Sequence, residues 1–365
     1  MKLTLDVAAT DGAARVGWVD TKRGGFSTPC FMPVGTRGTV RTVSSADMEE
    51  LGCEFVLANT YHLMLRPGVE IVAGLGGLHS FMGWNDHILT DSGGYQVFSL
   101  APEVDDEGVS FRSTYDGSLQ RLTPTTAVTI QEELGADIQM ALDICPPLPS
   151  PRQQVQQAVE RTSRWAAEAR AAHRRTEDQS LFGIVQGGVD CELRRWSARR
   201  TVDLDFDGYA IGGLSVGESR SEMLPALRAT LELLPPDQPR YLMGVGDPVG
   251  LVEAVSLGVD LFDCVLPTRL GRHGTLLTGS GRMNIRRADY AGDDRPIDPD
   301  CRCPACVRFS RGYLRHLALV KEPTAARLFT LHNLSWVLGL VTRIRSAIRD
   351  GRLGELRREL NETWR

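Results

Sequence analysis

His87-Ile88-Leu89-Thr90-Asp91-Ser92-Gly93-Gly94-Tyr95-Gln96 reads as a short buried strand that runs directly into a polar, glycine-rich loop. The apolar run at 87–89 is short, as a strand in a parallel sheet can be, and Gly93-Gly94 lets backbone approach a ligand closely. The same unit recurs along the chain. Further runs lie at 55–58, 138–142, 181–185, 208–211, 241–245 and 261–265. Asp143-Ile144-Cys145-Pro146-Pro147 closes the run at 138–142. Gln186-Gly187-Gly188 follows the next, and Gly212-Gly213-Leu214-Ser215-Val216-Gly217-Glu218 the one after. The last two runs carry Met243-Gly244-Val245-Gly246-Asp247 and Asp263-Cys264.

Amphipathic stretches at 125–135, 152–175, 192–204, 221–234 and 248–257 separate several of these strands. Thr123-Pro124 reads as a helix start. Alternating strand and helix gives an α/β fold with a mainly parallel sheet. A doubly wound open sheet would gather its site at one switch point. Here six strand ends are rich in polar residues and glycine, which favours an irregular (β/α)8 barrel of the TIM type with its site at one mouth. Beyond Pro267 the alternation stops. The expected organisation is a barrel body over 1–266, an arginine-rich, metal-binding subdomain over 267–335, and C-terminal helices over 336–365 that pack back on the barrel, with helical patterns at 333–347 and 353–360.

Of the 365 residues, 42% are hydrophobic and 24% charged, which excludes disordered and collagen-like classes. The start of the chain lacks the apolar core of a secretory signal, and no run is long enough to span a bilayer. The expected location is the cytoplasm. The net charge of −5 hides a polarity. Residues 266–365 hold 19 basic and 10 acidic residues, whereas residues 1–265 hold 22 and 36. Nucleic-acid phosphates are therefore expected to meet the basic end. Lysine is rare and arginine abundant, as codon bias alone would produce.

The eight cysteines are not a secreted disulfide framework, because five stand singly and three crowd together. Cys301, Cys303 and Cys306, with His332 beyond them, make the four-ligand set of a structural Zn2+ site. His316 is the rival fourth ligand, and three unliganded thiols in a loop the plainer alternative. With no open coordination position, one such ion would fold the subdomain rather than perform chemistry.

Asp91, Asp143 and Asp263 stand at strand ends. A pair of carboxylates facing one sugar can cleave a glycosidic bond, one attacking the anomeric carbon while the other moves the proton. Aspartates in such places also cap helices. Three together among glycine loops favour a site. The loops at Gly187-Gly188 and Gly212-Gly213 suit either a phosphate or the edge of a heterocycle, and match no nucleotide-cofactor fingerprint. Tyr95 and Met243 can sandwich an aromatic base between them.

Taken together, the stretches 91–100, 183–188, 212–218 and 263–269 and the Cys301/Cys303/Cys306/His332 set resemble the tRNA-guanine transglycosylase family over nearly the whole chain. The resemblance implies exchange of the wobble guanine, position 34, of tRNAs with GUN anticodons in queuosine biosynthesis. Asp263 would be the nucleophile on ribose C1′, giving a covalent aspartyl-ribose intermediate. Asp91 would serve as general acid/base and also touch the base. Asp143, Gln186, Gly213 and Leu214 would read its edge, with Tyr95 and Met243 on its faces. Thr268, Arg269, Arg272, Arg286 and Arg287 would meet the tRNA. Val216 and Cys145 resemble the bacterial branch, which inserts 7-aminomethyl-7-deazaguanine (preQ1). Ile144 stands where many bacterial members carry an acid, and His273 where asparagine is frequent. The family also implies a homodimer. Competing readings are a nucleosidase using the same two carboxylates, and a non-catalytic subunit of the same family. The first leaves the metal subdomain without a purpose. The second conflicts with the presence of all three aspartates.

Overall fold

A computed structural model of the chain describes residues 3–100 and 102–364. Eight parallel strands close into a barrel: Cys30–Gly35, Phe55–Ala58, His87–Thr90, Ile138–Met140, Ser180–Val185, Gly208–Ile211, Arg240–Leu242 and Leu261–Cys264. Each pairs with the next in sequence, and the last pairs with the first. Seven match the apolar runs. The eighth, Cys30–Gly35, lies outside them and contains Pro33, a residue that interior strands disfavour. Pro33 is tolerated because it sits opposite Cys264, where that pairing ends. Several strands are shorter than their apolar runs. The run at 138–142 stops as a strand at Met140, and that at 241–245 at Leu242.

Helices cover the barrel where the amphipathic stretches lie, at Pro124–Leu134, Arg152–Ala172, Cys191–Val202, Arg220–Leu231 and Pro248–Ser256. Their starts are chemically marked. Thr123 and Thr126 form a capping box before Pro124, and Ser219 forms one with Glu222. Asp190 and Asp247 accept bonds from the first backbone N–H groups of their helices.

Two additions make the barrel irregular. A three-stranded antiparallel sheet, Leu5–Asp11, Ala14–Thr21 and Gly24–Thr28, precedes it. Its Leu5, Val19 and Phe26 join Met32, Phe55, Ile138 and Tyr241 in one core cluster, so it plugs the end where the strands begin. A second small sheet, with strands Val109–Arg112 and Leu119–Leu122, is inserted between Asp91 and the helix Pro124–Leu134.

The segment that carries Cys301, Cys303 and Cys306 is inserted ahead of the last barrel helix. It contains the hairpin Thr275–Thr278/Gly281–Asn284 and the helices Pro304–Arg308 and Arg311–Leu319. One helix, Pro323–Arg349, then runs through the expected boundary at 335/336. Its first turns put Ala325, Leu328 and Phe329 in the subdomain core, and its last put Val341, Ile344 and Ile348 in the barrel core. That boundary is therefore no break in the fold, and the pattern at 333–347 is part of a longer helix. Leu353–Thr363 follows it.

Candidate active site

Asp91 directly follows the strand His87–Thr90. Its Oδ2 accepts from Asn59 Nδ2 at 2.5 Å, and its Oδ1 from the backbone N–H of Thr60 at 3.0 Å and of Gly93 at 3.1 Å. The carboxyl is thus locked by neutral donors. Burial, reinforced by the charges of Asp263 and Asp143, pushes its pKa up to about 7 against those bonds. A group that titrates there can both give and take a proton at neutral pH.

Asp143 lies past the end of Ile138–Met140. Its Oδ2 accepts from Gln186 Nε2 at 2.6 Å, and Ser92 Oγ approaches its Oδ1 at 3.4 Å. Burial raises it to about 6. The amide oxygen of Gln186 is buried and has no hydrogen-bond partner. Such a group costs free energy unless a ligand donates to it. Gly213, at φ +65°, borders this atom, and a Cβ there would come within 2.2 Å of Gln186 Oε1. Only glycine fits. Leu214 beside it is buried.

Asp263 closes the ring of carboxylates from the strand Leu261–Cys264. Its Oδ1 accepts from Tyr241 Oη at 2.6 Å and from Gly244 N at 2.8 Å. Its Oδ2 accepts no hydrogen bond from any described residue. Burial raises its pKa above the usual carboxylate range, with the Tyr241 bond pulling the other way. One oxygen is anchored and the other left available, the geometry of a positioned nucleophile.

Next along the chain from Asp143, Ile144 and Cys145 line a cavity of about 570 Å³ together with Tyr95, Gln157 and Val216 among others; none of the three aspartates is in its lining. Tyr95 stands over it, 64% exposed. Met243 packs half-buried against the barrel core.

Reasoning from sequence missed Asn59, Thr60 and Tyr241, which hold the two aspartates, and above all Arg194. Arg194 is fully buried on the helix Cys191–Val202. It donates to the carbonyls of Gly188 at 2.7 Å, Val185 at 3.0 Å, Gly212 at 2.8 Å and Gly213 at 3.1 Å. It thereby ties both glycine loops to one guanidinium. A trans peptide points its C=O and N–H opposite ways. The carbonyls of Gly212 and Gly213 face Arg194, so the N–H groups of Gly213 and Leu214 face away from it. Within a run of arginines on an amphipathic helix, nothing marks this one as buried.

Cys301, Cys303, Cys306 and His332 converge, with their ligand atoms within 4.8 Å of one another. His332 Nδ1 lies 3.3 Å from Cys306 Sγ and 3.6 Å from Cys303 Sγ. Tetrahedral zinc with ordinary bond lengths would set sulfur and nitrogen about 3.6 Å apart. His332 Nε2 lies 2.7 Å from the Leu277 carbonyl, which fixes the tautomer and leaves Nδ1 for an ion. His316 sits on Arg311–Leu319, outside the group.

The five residues expected at tRNA lie in different settings. Arg269 and Arg286 are exposed, and Arg272 is half-buried. Arg287 is paired with Asp289 at 2.9 Å. Thr268 is buried and donates its hydroxyl to the Val265 carbonyl, so it braces the helix Leu266–Arg272 from within.

A family model described as queuine tRNA-ribosyltransferase matches residues 10–365. The chain is 51% identical over 353 residues to the queuine tRNA-ribosyltransferase of Lysinibacillus sphaericus (strain C3-41), covering 96% of this chain and 93% of the relative. It is 52% identical over 353 residues to that of Geobacillus kaustophilus (strain HTA426), with the same coverage. With the Halothermothrix orenii relative of the same name it shares 52% identity over 348 residues, 95% of this chain and 93% of the relative.

Proposed function

The chain belongs to the queuine tRNA-ribosyltransferase family, and from that premise we propose that it exchanges the wobble guanine of tRNAs with GUN anticodons for preQ1. It is a tRNA-guanine transglycosylase, an enzyme of queuosine biosynthesis. The arrangement of Asp263 is the observation that carries the mechanism. With Oδ1 held by Tyr241 and Gly244, Oδ2 attacks ribose C1′. The C1′–N9 bond breaks, and guanine leaves with a proton supplied to N9 by Asp91. The incoming base then gives its N9 proton to Asp91 and attacks C1′. The ester bond breaks, freeing Asp263 and restoring the tRNA with a new base. A target base must be extruded from its stack before this chemistry can begin.

Asp143, the Gln186 amide and the Gly213 and Leu214 backbone support reading of the base edge, since a buried heterocycle needs its donors and acceptors met. Tyr95 and Met243 supply flat and soft surface for its faces. The Cys3His group fits a single structural Zn2+, which would hold the subdomain together. No helix among the described residues is long and apolar enough to cross a membrane. We place the enzyme in the cytoplasm as a homodimer, with Arg269, Arg272 and Arg286 on phosphates.

The test is incubation with unmodified tRNA and labelled preQ1, followed by mass analysis of the anticodon nucleoside. Incorporation at position 34 is expected. Release of guanine with no incorporation would make the protein a hydrolase instead.

A further inference from the structure

Many arginines of this chain spend their charge on a carboxylate. Arg15 does so with Asp260, Arg23 with Asp137, and Arg121 with Asp105. At the barrel mouth Arg37 and Arg66 do not, and no described carboxylate pairs with either. Both side chains are exposed. Instead they share one ring. The guanidinium carbon of Arg66 lies 4.8 Å from the centroid of Tyr115, and that of Arg37 lies 5.6 Å from it. Stacking restrains a guanidinium while leaving its N–H donors, which radiate in plane, free for an anion.

The ring itself is fixed. Tyr115 stands in the turn between Val109–Arg112 and Leu119–Leu122. A hydrogen bond joins its hydroxyl to His62 Nδ1 at 3.0 Å, and Tyr61 Oη meets Thr114 Oγ1 at 2.9 Å. The same four-residue segment therefore serves two sites. Asn59 and Thr60 hold Asp91, while Tyr61 and His62 hold the turn with Tyr115. The stacked arginines are in fixed register with the acid/base.

They also continue a larger positive zone. Arg41 lies in the same loop as Arg37, after the strand Cys30–Gly35. Burial lowers the Arg272 pKa, and the charges of Arg41 and Arg269 lower it further, so these three guanidinium groups crowd one another. Like charges gathered without carboxylates suit a polyanion.

We propose that Tyr115 holds Arg37 and Arg66 as a pre-stacked pair that grips phosphates of the tRNA loop beside the nucleotide undergoing exchange. The proposal rests on the transglycosylase reading and adds to it a nucleic-acid contact in the acidic, N-terminal part of the chain.

The test is tRNA affinity against salt for the full-length, metal-loaded enzyme. In single-stranded nucleic acid each phosphate contact adds about 0.7 to the slope of log affinity on log salt. The double variant Arg37→Ala/Arg66→Ala should lose about 1.4 from that slope, so that between 50 and 200 mM salt it loses about sevenfold less affinity than the parent. KM for free preQ1 should not move. Tyr115→Leu, which keeps both charges but frees them, should weaken binding without lowering the melting temperature, and Tyr115→Phe should restore most of the affinity. Arg121→Ala, on the same small sheet but already ion-paired, is the control and should leave the slope unchanged. Arg37→Gln/Arg66→Gln repeats the measurement if the alanine variant folds poorly. An unchanged slope, or weaker binding with the parental slope, would overturn the proposal. If the parent enzyme itself incorporates no base, the functional reading fails instead.

Discussion

The strand Ile138–Met140 carries an aspartate beyond each of its ends, and the two could hardly differ more. Asp137, at the amino end, meets Arg23 at 2.8 Å, His79 at 3.1 Å and the Ile88 N–H at 2.8 Å. These partners hold its pKa below the usual value against the opposing pull of burial. Asp143, past the carboxyl end, has only neutral hydrogen-bond partners and is pushed up to about 6. The contrast in partners extends around the barrel, although burial outweighs them at Asp260 and leaves its pKa raised. Asp260, at the amino end, is gripped by the Arg15 guanidinium through both carboxylate oxygens. Asp91 and Asp263, at the mouth, have no cation at all among their hydrogen-bond partners. One end of the barrel neutralises its charges and is stable. The other keeps them desolvated and without a cation, the state in which a carboxylate can act as a nucleophile or move a proton near pH 7.

The largest test of this division is Asp263→Asn. Its carboxamide oxygen can keep the Tyr241 and Gly244 bonds, so the fold should persist. The denaturation-resistant tRNA adduct should vanish, and exchange should fall by at least about a thousandfold. The variant should also be more stable than the parent at pH 8 but not at pH 4. A carboxyl whose folded pKa is raised binds more protons folded than unfolded, so its stabilising contribution falls as pH rises through that window. An adduct that survives the substitution would remove Asp263 from the mechanism.

Metal removal comes next. Structural zinc contributes on the order of 10 kcal/mol in small domains. A chelator titration should therefore unfold the hairpin and short helices around Cys301–Cys306 and abolish tRNA binding before free-base binding. Simultaneous loss of both would place the ion in the base site.

Substituting the two aspartates that flank this strand sharpens the contrast further. Asp143→Asn should raise KM for the base roughly fiftyfold, the worth of a charged hydrogen bond, with no loss of melting temperature and, as for Asp263→Asn, a gain at pH 8. Asp137→Asn should leave KM alone and cost about 3 kcal/mol of stability near neutral pH by orphaning its partners. That cost should disappear as pH falls through the depressed pKa of Asp137, where the parent loses the same interaction. The opposite pattern, kinetic at Asp137 and structural at Asp143, would break the division. The smallest effect belongs to Arg194→Lys. It keeps the charge but cannot span four carbonyls, so KM for the base should rise about tenfold with tRNA affinity unchanged. Equal change in both would mean that the glycine loops do more than present the base.

The barrel was legible because seven of its strands are apolar runs that end in polar loops, a pattern each strand carries locally. Cys30–Gly35 was not, since Pro33 argues against a strand unless its partner is known to end there. The three candidate aspartates stood out by position, but their supports did not. Asn59, Tyr241 and Arg194 act through contacts with residues distant in sequence, and no local periodicity encodes such contacts. The Cys3His cluster was legible from the spacing within Cys301–Cys306, and His332 from its composition match. The long helix that carries His332 was foreshortened, because its first half packs in one core and its second in another.

The pairing of Leu261–Cys264 with Cys30–Gly35 has a consequence for how the chain is made. The first barrel strand emerges from the ribosome long before the last, and its edge stays without a partner until residue 264 has been synthesised. Arg345 then covers the same seam by donating to the Pro29 carbonyl at 2.7 Å and the Ser27 carbonyl at 3.0 Å. Contacts this far apart in sequence make closure slow and leave an exposed strand edge in the meantime. Nascent chains stalled before residue 261 should therefore recruit chaperones that the released, folded chain no longer needs.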